Sequence, residues 1–163
     1  MSTEITSAEP ASAEPGTAET AWFVDSSALL AVMLGKSPAA KAWFDAAGAR
    51  GDTFLGSRLL EVETKRFVTN KELAKELRRG QVVVDRYLAK FELLLVDNDL
   101  LDEAIAIQQP LRGADAIHVA AALRIGTGET SIVTHDAQMS RACQALGFAV
   151  VDPVTDDERP ATG

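Results

Sequence analysis

Short apolar runs recur along this chain, and a stretch of helical periodicity follows almost every one. Ala21-Trp22-Phe23-Val24, Thr53-Phe54-Leu55, Leu93 to Val96, Ser131-Ile132-Val133 and Phe148-Ala149-Val150-Val151 read as buried strands. Between them, apolar spacing predicts helices after Asp25, over 38–48, from Ser57 to about Asn70, over 99–108, from Gly113 to Arg124 and over 135–146. Residues 71–90 predict an amphipathic helix or a broken pair, interrupted at Gly80. Ser26-Ser27 and Ser57 are candidate helix caps, and Gly126, Gly128 and Gly147 candidate stops. Short strands alternating with helices imply an α/β protein: an αβα sandwich around a mainly parallel central sheet.

The ends are different in kind. Residues 1–20 are mostly Ser, Thr, Ala, Glu and Pro, with an approximate Ser-Ala-Glu-Pro repeat, and have too little apolar bulk to pack. They read as a disordered acidic tail, 21–151 as one folded domain and 152–163 as a flexible C-terminal tail. The net charge of −8 is distributed accordingly. Glu4, Glu9, Glu14 and Glu19 stand without a base in the first tail, and Asp152, Asp156, Asp157 and Glu158 face only Arg159 in the last. The folded body is therefore nearly neutral, so the overall acidity does not exclude a nucleic-acid partner. One cysteine, Cys143, rules out an internal disulfide or a thiolate zinc cluster and favours a reducing compartment. The longest apolar run, Ala28 to Leu34, is far too short to span a bilayer, and the first twenty residues lack the basic start of a signal peptide. A cytoplasmic location is expected.

Most of the 24 acidic side chains must be solvated surface. The informative ones sit at strand ends or on apolar faces. Asp25 ends the first strand and Asp136 follows Ser131-Ile132-Val133; in open parallel sheets ligands bind outside such carboxyl ends. Either could equally be a helix cap. Asp115 opens an almost wholly apolar helix, where the helix dipole favours an acid with or without function. Of two nearby glutamates, a helical projection with Leu60 at zero places Glu63 at about 300°, among Leu59, Leu60, Val62, Phe67 and Val68, and Glu61 at about 100°, off that face. A carboxylate directed at a core needs compensation, so Glu63 is the candidate and Glu61 reads as solvated. Asp25, Glu63, Asp115 and Asp136 together describe one cleft. Four carboxylates there would repel unless a divalent cation neutralised them, and oxygen-only ligands select Mg²⁺ or Mn²⁺. Such a site can bind a phosphodiester and activate water.

These residues also carry a family likeness. The segments Val24-Asp25-Ser26-Ser27-Ala28-Leu29, Ser57 to Glu63, Leu111-Arg112-Gly113-Ala114-Asp115-Ala116-Ile117-His118-Val119-Ala120, Thr134-His135-Asp136 and Ala145-Leu146-Gly147-Phe148 resemble the PIN-domain ribonucleases, above all VapC-type toxins of toxin–antitoxin pairs. The likeness covers about 21–151. It implies Asp25, Glu63, Asp115 and Asp136 as the catalytic, metal-binding set, supported by Ser27, Thr134 and Arg112. It further implies endoribonuclease activity leaving a 5′-phosphate, a homodimer, and an antitoxin whose peptide covers the cleft. The acidic N-terminal tail departs from the usual compact toxin start.

Other residues admit blander readings. His118, one turn after Asp115, could line the site or be a packed, hydrogen-bonded helix histidine. His135 is expected to point away from the acids. Arg112 could contact RNA phosphate or pair with an acid. Lys65, Arg66, Lys71, Lys75, Arg78, Arg79 and Arg86 form either an RNA-binding patch or the solvated side of a helix pair, while Trp22, Trp43 and Phe44 read as core. A phosphorylation-receiver domain would share strand-end acids and Mg²⁺, but needs a late lysine, and none follows Lys90. A PIN-fold module that binds without cutting gains nothing from four like charges. A PIN nuclease in RNA processing, without antitoxin, is compatible with the same residues.

Overall fold

The structure is a computed structural model that describes residues 20–70 and 77–154. The 1–20 tail, except its last residue, and most of the 152–163 tail lie outside the described residues. The elements are β1 (Ala21–Val24), α1 (Ser26–Met33), α2 (Pro38–Ala49), β2 (Thr53–Ser57), α3 (Arg58–Asn70), α4 (Leu77–Leu88), β3 (Phe91–Leu94), α5 (Asn98–Ala106), α6 (Gly113–Ile125), β4 (Ser131–Val133), α7 (Ala137–Ala145) and β5 (Val150–Val151). All pairings are parallel, in the order β3-β2-β1-β4-β5.

That order positions the site. The chain builds outward from β1 through β2 to β3, then returns to add β4 on the other side of β1. Val24 pairs with Val133, so the carboxyl ends of β1 and β4 lie side by side at the point where the order reverses, the usual ligand crevice of such sheets.

Side chains alternate across each strand and split the core in two. Val24, Phe54 and Val133 point to one face, covered by Leu29 and Val32 of α1, Phe44 of α2, Leu60 of α3 and Val84 of α4. Their neighbours Phe23, Leu55 and Ile132 point to the other, against Leu100 of α5, Val119 and Ala120 of α6, and Met139 and Cys143 of α7. The αβα sandwich follows. Trp22, Trp43 and Phe44 do pack as core: Trp22 meets Trp43 edge-on at 5.2 Å and Phe44 stacks on Phe54 at 4.3 Å between ring centroids. Among the described residues no helix is long and apolar enough to cross a membrane.

Several boundaries differ from the sequence expectation, each for a long-range reason. The third strand is Phe91–Leu94, not Leu93–Val96, because Phe91 pairs with Phe54 and Ser57 with Leu94. The last strand begins at Val150. Phe148 is held by its N–H to the Cys143 carbonyl and Gly147 by its N–H to that of Gln144, a Schellman closure of α7 that needs the positive φ of Gly147. Asp25, rather than Ser26 or Ser27, caps α1 by accepting from the Ala28 N–H. Ser57 is the last residue of β2, and its hydroxyl is paired elsewhere. Gly80 does not interrupt α4; a Cβ there would sit 2.7 Å from Val68 Cγ1, so the glycine lets α3 and α4 approach.

Candidate metal centre and nuclease site

Asp25 is the most constrained acid. It leaves β1 with its N–H bonded to the Val133 carbonyl at 3.0 Å, and its side chain is 3% exposed. Oδ1 accepts from Ser27 Oγ at 2.7 Å and the Ala28 N–H at 3.1 Å, while Oδ2 accepts from Thr134 Oγ1 at 2.8 Å. Burial pushes its carboxyl above the ordinary range, and those three donors counteract the push. Ser27 and Thr134 thus support Asp25 directly. Ser27 Oγ also accepts from the His135 N–H at 3.0 Å, and Thr134 Oγ1 from the Asp136 N–H at 3.0 Å, which ties the ends of β1 and β4 together.

Asp136 caps α7, accepting from the Met139 N–H at 2.8 Å. Asp115 stands in the first turn of α6. Its carboxyl is raised by burial and by the negative charge of Asp136 and Glu63, and Arg112 and His118 oppose the rise. Asp115 therefore shares one electrostatic neighbourhood with two of the other three acids. Arg112, 76% exposed, lies 3.7 Å from Asp136 and 4.0 Å from Asp115. Of its two readings, pairing with an acid is the one seen.

Glu63, on α3, completes the group. Its Oε2 accepts from Ser26 Oγ at 3.2 Å and its Oε1 from Nε2 of His118, whose Nδ1 lies 3.0 Å from Ser57 Oγ. His118 is thus the hydrogen-bonded helix histidine, and its partner is a candidate site residue. Glu61 pairs with Lys65 and Arg58. The helical face itself differs from the projection: Val62 is 55% exposed, while Thr64, on the side of the helix that carries Leu60, is buried with its hydroxyl bonded to the Leu60 carbonyl at 2.8 Å. His135 bonds the Asp152 carboxylate at 3.1 Å.

Among the described residues, no three His, Cys, Asp or Glu side chains lie close enough to enclose an ion as they stand. The donor set nonetheless suits a hard divalent cation, being all carboxylate oxygen, and the guanidinium between Asp115 and Asp136 shows that a positive charge is accommodated there. The basic run is partly committed: Lys65 pairs with Glu61 and Asp85, and Arg66 with Asn70. Lys71, Lys75 and the Arg78 side chain lie outside the described residues. A cavity of about 400 Å³ lined by Phe44, Phe54 and Lys90 lies at the other end of the strands and contains none of the four acids.

The PIN domain family model matches residues 22–145. The chain is 35% identical over 135 residues to Ribonuclease VapC46 of Mycobacterium tuberculosis, covering 80% of this chain and 96% of that protein. Ribonuclease VapC47 of the same species is 30% identical over the same length and coverage. Among solved structures, a chain of DNA-bound VapBC from Salmonella typhimurium superposes with a TM-score of 0.64, at 18% identity over 82% of this chain and 98% of that one. A chain of FitAcB from Neisseria gonorrhoeae gives 0.62, at 16% identity over 81% and 97%. With its parallel sheet, its strand-end acids and relatives matched almost end to end, this chain belongs to the PIN-domain family.

Proposed function

We propose that residues 21–151 form an endoribonuclease that hydrolyses RNA phosphodiester bonds with Mg²⁺ or Mn²⁺ held by Asp25, Glu63, Asp115 and Asp136. The observation that carries this reading is Asp115, partly buried within the field of Asp136 and Glu63, with a guanidinium as counter-charge. A bound divalent cation would supply charge neutralisation at the phosphate and a more acidic water. The protein's own part is orientation. Ser27, Ala28 and Thr134 fix both oxygens of Asp25, and the α7 cap fixes Asp136. Arg112, exposed at the rim, is free to exchange its acidic partners for a phosphate oxygen, a geometry guanidinium suits.

The toxin role rests on the VapC relatives, and the antitoxin on solved neighbours that are VapBC assemblies. In this reading the protein acts in the cytoplasm as a homodimer, and a cognate antitoxin peptide covers the cleft. The test is cleavage of total RNA with mapping of new 5′-phosphate ends. Asp115→Asn and Glu63→Gln should abolish Mg²⁺-dependent ends, and Glu61→Gln should not. Full activity in Asp115→Asn would remove that residue from the site. Cleavage that no co-expressed antitoxin suppresses would point instead to an RNA-processing nuclease.

A further inference from the structure

We infer that His118 is a positioning residue: it holds Glu63 in place from the same helix that carries Asp115, with Ser57 fixing the orientation of its ring. The inference rests on Glu63 being a metal ligand, as proposed above.

His118 is 1% exposed and Ser57 is fully buried, so neither is a surface polar group that water can satisfy. A buried imidazole with two polar neighbours has a defined tautomer. The Ser57 hydroxyl has a proton to give, and donating it to Nδ1 leaves the ring proton on Nε2, the nitrogen that faces Glu63 Oε1. Ser26 serves the other oxygen, Oε2. Each carboxylate oxygen of Glu63 thereby has one donor, and the carboxylate cannot turn without losing both.

Placement makes this more than local satisfaction. Glu63 lies on α3 and Asp115 on α6, and their spacing depends on how two separate helices pack. His118 is one turn beyond Asp115, so its bond to Glu63 references one acid directly to the helix bearing the other. Ser57, at the end of β2, anchors the ring to the sheet. The chain of contacts therefore runs from the end of β2, through the histidine on α6, to the glutamate on α3. Loss of a group that orients a metal ligand typically costs about 10–100-fold in metal affinity.

The test is Mn²⁺ affinity by calorimetry on the full-length protein. His118→Leu, which keeps bulk and removes both ring nitrogens, is expected to weaken binding roughly 10–100-fold. His118→Gln, whose amide can still donate to Glu63, should recover most of that loss. In a Glu63→Gln background, adding His118→Leu should cause no further weakening, a dependence that a purely structural role would not produce. Ser57→Ala, a milder change, should weaken Mn²⁺ binding several-fold, again only when Glu63 is present, and it serves as the test if His118→Leu does not fold. Wild-type affinity in His118→Leu or in Ser57→Ala, or equal weakening with and without Glu63, overturns the positioning role while leaving the metal centre intact. Absence of Mn²⁺ binding by the wild type overturns the metal centre and this inference with it.

Discussion

Replacing Thr134 by valine removes one hydroxyl and little else, and that hydroxyl joins the ends of β1 and β4 where the site is proposed. Thr134 is 1% exposed. Its Oγ1 donates to Asp25 Oδ2 at 2.8 Å and accepts from the Asp136 N–H at 3.0 Å. A hydrogen bond to a charged group contributes about 1.5–3 kcal/mol, and a donor left without its acceptor adds a penalty that is smaller here because the Asp136 N–H bond is only partly buried. Together they predict a loss of about 2–4 kcal/mol, a large fraction of the roughly 5–15 kcal/mol that holds a domain folded. Valine restores nothing, since its second methyl cannot bond either group. Thr134→Ser keeps the hydroxyl and should cost under about 1.5 kcal/mol, the price of one buried methyl. Urea denaturation of the metal-free protein at neutral pH, followed by far-UV circular dichroism, measures both. A Thr134→Val variant within 0.5 kcal/mol of wild type (about the spread of neutral surface changes) would refute the claim that this hydroxyl supports Asp25.

Two further stability predictions concern other layers. Gly80→Ala gains about 1 kcal/mol of helix propensity but drives a methyl to 2.7 Å from Val68 Cγ1, an overpacking that typically costs about 1–3 kcal/mol, so the variant should be destabilised. In a Val68→Ala background the same substitution should turn stabilising; thermal melts that show the same sign in both backgrounds would contradict the close helix approach. Asp52 is pushed up by burial, but hydrogen bonds from Trp22 at 2.9 Å and Arg50 at 2.6 Å outweigh this and hold its carboxyl below the usual range. A depressed folded-state pKa contributes stability above the unfolded value of about 3.9 and loses it as pH falls through the folded value. Asp52→Asn should therefore be about 1 kcal/mol less stable than wild type at pH 7, with the gap closing below about pH 4 in urea titrations; a gap independent of pH would rule out the ion pair as its source.

The sheet was readable from sequence because buried parallel strands appear as continuous apolar runs, and Asp25 and Asp136 stood out as acids at the ends of two of them. What escaped was set by contacts distant in sequence. The β3 boundary follows from Phe91 pairing with Phe54, and the late start of β5 from the Gly147 closure of α7. Gly80 reads locally as a helix breaker, and only the neighbouring helix explains why it is tolerated. On α3, hydropathy places Val62 inside and gives Thr64 no role, yet the buried side is the one carrying Leu60, Thr64 and Val68, and Thr64 is tolerated there because its hydroxyl is satisfied by its own helix. His118 was suspicious as a polar residue on an apolar helix, which had to find partners, but Ser57 and Glu63 are 61 and 55 residues away and nothing local names them. The roles proposed for the four acids rest on family likeness and chemistry rather than on any one spacing.

The divalent cation site proposed at these four acids can be located in crystals soaked in Mn²⁺ and measured for anomalous scattering, because the signal marks the ion itself. The expected result is a peak in the cleft at the carboxyl ends of β1 and β4, bonded directly or through water to Asp115 and its three partners, and absent from Asp115→Asn crystals. A cleft without a peak, or a peak that persists in Asp115→Asn, would contradict it.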